Sequence, residues 1–291
     1  MKAKMNPTLM LIVSMLVFGT LGLFVRHIAL PSGELALYRA VMATVLLGGY
    51  LLITREGFHI GAVRKELPLL LLSGAAMGVN WILLFEAYRY TTISVATLSY
   101  YFAPVIVTIL SPLLFREKMT AKGLVCFALS TVGLVLVIGV TELGTAHLTG
   151  ILFGLGAAVL YATVILLNKT IKEVAGIQRT FWQFIAATVV LIPYVMCTGG
   201  FTVGSLGTTG WGMLAVVGIV HTGITYCLYF SSIKELSGHK IALLSYIDPL
   251  TAIVLSMTVL SELVTLWQLV GGAMILLFTL ISEIPTKSPQ R

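Results

Sequence analysis

The chain holds a single aspartate, Asp248, in the middle of an apolar run. An acid at that depth of a membrane helix costs about 2.5–3.5 kcal/mol on insertion scales, so it needs a reason to be there. Ser245 stands one turn before it and Pro249 directly after. A proline cannot donate to the carbonyl four residues back. Pro249 therefore frees the carbonyl of Ser245, and Pro104 frees that of Tyr100. Carboxylate, hydroxyl and carbonyl are expected to converge beside two helix breaks, at Pro104 and Pro249. Three roles compete for Asp248: binding a cationic group such as an ammonium, carrying a coupling proton, or pairing with a basic or hydroxyl group on another helix.

Other polar side chains in apolar runs add candidates for a cavity. Thr97, Tyr101, Pro104, Thr108 and Ser111 are spaced four, three, four and three, which puts them along one helix face. Thr97, Tyr100 and Tyr101 lie near the proline and are expected to line the cavity; Thr108 and Ser111 are expected to bond locally. Asn80 and Trp81, His221, Thr225 and Tyr226, and Tyr246 beside Ser245 complete the set. An aromatic ring next to a polar group suits a solute with an apolar part and a charged end. Arg39 and Glu86 fall at similar depths, so an ion pair between them is expected, as a clamp or an outer gate. Glu117 and Glu262 read as structural: each precedes a capping threonine, Thr120 or Thr265, and Gln268 completes a capping box with Thr265.

Several chemistries are excluded by what is missing. There is no phosphate loop of the Gly-x-x-x-x-Gly-Lys-Ser/Thr type, no His-Glu-x-x-His and no Gly-x-Ser-x-Gly. One aspartate rules out an aspartate dyad within a subunit. Cys126, Cys197 and Cys227 have neither metal-ligand nor disulfide spacing. No cofactor and no metal are expected.

These residues must be positioned by elements that live in lipid. Apolar residues make up 58% of the 291 and charged ones 10%, where a soluble domain carries roughly 25%. Mean hydropathy is +1.02. A helix crossing the ~30 Å hydrocarbon core needs about 20 apolar residues. Ten such stretches are predicted: 8–27, 33–53, 68–88, 93–115, 121–140, 148–168, 179–198, 209–233, 238–260 and 264–283. Gly74 and Gly78, and Gly150 and Gly154, mark faces for close helix contact. The charge of +7 points to topology rather than nucleic acid. With the N-terminus in the cytoplasm, fifteen of the eighteen basic residues fall inside and only Arg26 and Arg89 in outer loops. Both termini are then cytoplasmic.

A repeat runs through the chain. Shifted by 145, residues 98–128 fall on 243–273 with ten identities, among them Tyr101/Tyr246, Pro104/Pro249 and Glu117/Glu262. Halves of five spans, 1–145 and 146–291, must cross in opposite directions, and secondary transporters bind their solute between such halves. The carrying motifs are Leu98-Ser-Tyr-Tyr-Phe-Ala-Pro104 with Glu117 and Leu243-Leu-Ser-Tyr-Ile-Asp-Pro249 with Glu262. Phe18-Gly19, Tyr161-Ala162 and Arg39 add to them. Over essentially its whole length the chain resembles the EamA family of the drug/metabolite transporter superfamily. The resemblance implies an all-α, ten-helix inner-membrane transporter that moves small metabolites, often amino acids outward, by alternating access. Its partners are then a small-molecule substrate and the lipid bilayer, and a coupling proton is one of the roles left open for Asp248. A channel is the first alternative and a membrane-embedded enzyme the second.

Overall fold

The computed structural model describes residues 6–55, 57–58, 60–116, 120–139, 145–174 and 176–284, and among them there is no strand. Glu117 lies outside the described residues. The first half contains α1 (Pro7–Gly19), α2 (Leu21–Arg26), α3 (Ser32–Thr54), α4 (Ile60–Tyr90), α5 (Ile93–Tyr100), α6 (Ala103–Phe115) and α7 (Ala121–Gly139). The second contains α8 (Thr145–Thr170), α9 (Gly176–Thr198), α10 (Thr208–Ala215), α11 (Thr225–Ile233), α12 (Gly238–Ser245), α13 (Ile247–Thr258) and α14 (Leu266–Glu283). A π-helical segment, Val216–Ile224, joins α10 to α11.

Among the described residues, seven helical runs are long and apolar enough to cross a membrane: Pro7–Arg26, Ser32–Thr54, Ile60–Tyr90, Ile93–Phe115, His147–Thr170, Gly176–Thr198 and Thr208–Ile233. Three shorter apolar helices accompany them, over Ala121–Val137, Leu243–Thr258 and Leu266–Ser282. The starts are set by local chemistry. Asn6 accepts from the Thr8 amide ahead of Pro7, and Thr92 from the Val95 amide at the head of α5. The expected capping box of Thr265 and Gln268 opens α14. In contrast, α4 begins eight residues before the predicted stretch, carrying Arg64, Lys65 and Glu66 on an extra two turns.

Three predicted spans are interrupted, and the interruptions shape the interior. The first breaks at Thr20, whose hydroxyl bonds to the Val17 carbonyl at 2.8 Å. The fourth breaks at Tyr101 and Phe102, and the ninth at Tyr246, each just ahead of its proline. A proline is well placed in the first turn of the helix that follows, where its missing N–H costs nothing.

Small residues set how closely the helices approach. Both predicted glycine faces are used: Gly74 and Gly78 of α4 lie against α9, and Gly150 and Gly154 of α8 lie against Thr91 and Ser99. At Gly74 an added Cβ would run into the Gln183 carbonyl and Ala186, which are fixed backbone and core. Gly74→Leu should therefore part α4 from α9 and destabilise the protein by about 1–3 kcal/mol, read as a lower thermal-unfolding midpoint in detergent. An unchanged midpoint would show that this contact is slack.

Candidate functional site

A cavity of about 850 Å³ lies between the helices of the two halves. Asp248 occupies the first turn of α13, where the helix N-terminus favours a carboxylate. Its Oδ2 accepts a hydrogen bond from the Tyr101 hydroxyl at 2.6 Å. The bond thus spans the break between α5 and α6 and the break between α12 and α13. Tyr101 stands edge-on to Tyr100, which stacks on Tyr161 with ring centroids 5.1 Å apart. Phe18, Tyr226 and Tyr229 form a second aromatic group in the lining of the same cavity.

Of the sequence candidates, Asp248, Asn80, Trp81, Thr97, Tyr100, Tyr101, Tyr226, Ser245, Tyr246 and Pro104 all line this cavity. Asn80 is held from behind by donating to the Ala157 carbonyl at 2.6 Å. Ser245, however, donates to the Ile241 carbonyl one turn back at 2.9 Å, so its hydroxyl does not join Asp248. Pro249 is buried in the packing behind the site.

His221 and Thr225 are not lining residues. His221 is buried between Thr20, whose Oγ1 meets its Nε2 at 2.8 Å, and the Val216 carbonyl, 3.3 Å from its Nδ1. Thr225 donates to the Val220 carbonyl, and Thr222 to that of Val217. These bonds reach five residues back, the register of a π-helix, so faces expected from an α-helical period are turned away.

The expected Arg39–Glu86 pair is not formed. Arg39 donates from Nε to Thr222 Oγ1 at 3.0 Å, with its guanidinium carbon 4.3 Å above the Trp81 ring. Glu86 pairs instead with Arg89, one turn along its own helix, at 3.8 Å. Trp81 and Glu86 are five residues apart, about 140° around α4. A helix that turns Trp81 toward Arg39 therefore turns Glu86 away from it.

Two features were not visible in the sequence motifs. One is the polar end of the cavity, where Asn168, Arg179, Thr180 and Gln183 join the lining. Gln183 donates to Ser73 Oγ at 2.5 Å and to Asn168 Oδ1 at 2.7 Å. Their signal was the spacing of Arg179, Thr180 and Gln183 at one turn on an apolar helix. At this end Asn168, Arg179, Ile233 and Ile241 are half-exposed, while Tyr88 and Thr97 at the other end are buried. The cavity thus opens where α8 and α11 finish and α9 and α12 begin.

The other feature closes the opposite end. Glu262, with a side chain only 8% exposed, forms an ion pair with Arg26 at the end of α2. Its Oε2 also accepts from the Ile93 amide at the head of α5 at 2.9 Å and from the Ser256 hydroxyl in α13. One carboxylate therefore ties together three interrupted spans. The first-turn amide of α5 adds the attraction of a helix N-terminus.

The description of the EamA-like transporter family matches the chain twice, over residues 5–139 and 148–283. The chain belongs to this family. A transporter of Bacillus subtilis, YxxF, is 32% identical over 279 residues, covering 94% of this chain and 88% of its own length. A transporter of Archaeoglobus fulgidus is 33% identical over 198 residues, covering 67% and 69%. Protein PecM of Dickeya dadantii is 27% identical over 253 residues, covering 85% and 82%. A crystal structure with 16% identity superposes with a TM-score of 0.65 over 94% of this chain and 95% of that one, which shows the shared fold. As an EamA-like transporter the protein is a multi-pass membrane protein, and transport is its general function.

Proposed function

We propose that this transporter is a secondary carrier of the cytoplasmic membrane, moving a small polar, amino-acid-like solute outward by alternating access. Ten spans form two inverted five-helix repeats, residues 1–145 and 146–291, with both termini in the cytoplasm. The packing supports this, because contacts recur with the halves exchanged. The pair α4 with α8 has its counterpart in α11 with α1, and α4 with α9 in the π segment with α3. Likewise α5 and α6 on α8 correspond to α12 and α13 on α1, while α3–α9, α5–α13 and α7–α14 pair the two halves directly. Two matches to one family description point the same way.

The observation that carries the functional reading is the Tyr101–Asp248 bond at the meeting of two helix breaks in the cavity wall. Interrupted helices meeting between repeats are where carriers bind solute and coupling ion. Asp248 serves there as the site for a cationic group of the solute or for the coupling proton. With the basic loops inside, the cavity faces the cytoplasm and the Glu262 junction closes the outer face.

Counterflow in proteoliposomes tests the function. A panel of metabolites is loaded inside, labelled solute is added outside, and the assay is run with and without a pH gradient. Saturable exchange of at least one amino-acid-like solute is expected, with accumulation when the gradient is applied. Conductance that rises linearly with concentration and shows no exchange would instead make the protein a channel.

A further inference from the structure

Arg39 is 3% exposed and sits in the wall of the cavity. A cation within a membrane protein needs a counter-charge or a water-filled space. Among the described residues, no carboxylate lies within 4 Å of its guanidinium. Its hydrogen bond to Thr222 uses Nε, the nitrogen nearest the aliphatic stem. Trp81 covers one face of the plane at 4.3 Å, with Phe85 further off at 5.9 Å. A ring face attracts the charge but accepts no in-plane N–H. These contacts fix where the guanidinium points and leave Nη1 and Nη2 without an acceptor among the described residues. Both keep access to open volume, unlike Arg179 Nε, which is sealed in without a partner.

The opposite charge is across the same space. Asp248 lines the cavity with its carboxylate held by Tyr101, beyond ion-pairing distance of Arg39. The two therefore attract each other without neutralising each other.

We infer that Arg39 is the residue that binds an anionic group of the solute, a carboxylate seated end-on against Nη1 and Nη2. The inference rests on the cavity being the solute chamber. A planar guanidinium already locked by stacking and by one hydrogen bond loses little freedom on forming a fork to a carboxylate. The cavity then reads both ends of a solute with separated charges, the anion at Arg39 and the cation at Asp248. An analogue lacking the carboxylate leaves buried donors unpaired, and sites built on hydrogen bonds reject such analogues strongly.

Four probes on one carbon skeleton separate the charges: leucine, leucinamide, 3-methylbutylamine and 4-methylpentanoate. Each is titrated at fixed pH and ionic strength against the full chain in lipid nanodiscs, and binding is read from the rise in thermal-unfolding midpoint. Leucine and 4-methylpentanoate are expected to bind at least ten-fold tighter than leucinamide and 3-methylbutylamine. Arg39→Gln should erase that preference, and Arg39→Lys, which keeps the charge but not the fork, should reduce it. The wild-type ranking decides even if a variant does not fold. Equal responses to all four probes, including none at all, overturn the inference, as does an Arg39→Gln protein that keeps the preference. Counterflow of the same probes is scored separately. Carboxylate preference without counterflow contradicts the carrier and leaves Arg39 standing; counterflow without preference does the reverse.

Discussion

Asp248→Asn is expected to yield a folded membrane protein that no longer accumulates its solute. Asparagine keeps the shape, and its Oδ1 still accepts the Tyr101 hydroxyl that now bonds the carboxylate at 2.6 Å. What disappears is the negative charge, together with the ability to take up and release a proton. A hydrogen bond to an ionised group is roughly twice as strong as a neutral one, and a charge that binds a cation has no neutral substitute. Accumulation should fall on the order of 100-fold, equivalent to roughly 2.7 kcal/mol. If counterflow survives while pH-driven accumulation is lost, Asp248 carries the proton. Loss of both assigns it to the solute. Wild-type accumulation in the mutant would leave Asp248 a purely structural role.

The second large effect concerns the junction at the other end of the cavity. Arg26→Gln strips the counter-charge from Glu262 while its carboxylate stays buried. An uncompensated buried charge costs about 3–5 kcal/mol. The Ile93 amide and the Ser256 hydroxyl still bond this carboxylate, so the lower end of that range is expected. Glu262→Gln removes the charge and keeps an acceptor, which should cost only about 1 kcal/mol. The order is the diagnostic point: Arg26→Gln should lower the unfolding midpoint more than Glu262→Gln, and the double variant should recover part of the loss. Equal or reversed effects would mean that the ion pair contributes little to closing this face.

Much of this arrangement was legible from residue types. The apolar stretches gave helices, Pro104 and Pro249 marked two breaks, and Thr265 with Gln268 foretold a capping box that the structure contains. The polar and aromatic residues near those breaks mostly do line one cavity. What could not be read was direction around each helix axis. Counting residues gives an expected depth, but Arg39 and Glu86, expected at similar depths, face different neighbours. His221 and Thr225 were misplaced because the π segment widens the turn, and side chains bonding five residues back leave no distinct sequence pattern. Ser245 lines the cavity as expected, but its hydroxyl bonds to the Ile241 carbonyl one turn back instead of meeting Asp248, a local choice that spacing does not reveal. Glu262 read as a local structural residue because its partners, Arg26 and Ile93, are far away in sequence.

The central claim is that one cavity is reached in turn from two sides, and a single cysteine reports on it. Met77 lines the cavity, and Cys126, Cys197 and Cys227 can be replaced to give a cysteine-free background. Met77→Cys is then exposed to a membrane-impermeant maleimide in inside-out and in right-side-out vesicles. Labelling is expected from both sides, with the cytoplasmic rate higher by at least about ten-fold (about 1.4 kcal/mol of difference between the two closed barriers). Adding Glu262→Gln should shift that ratio toward the outside. Labelling from one side only, unmoved by Glu262→Gln, would contradict alternating access through this cavity.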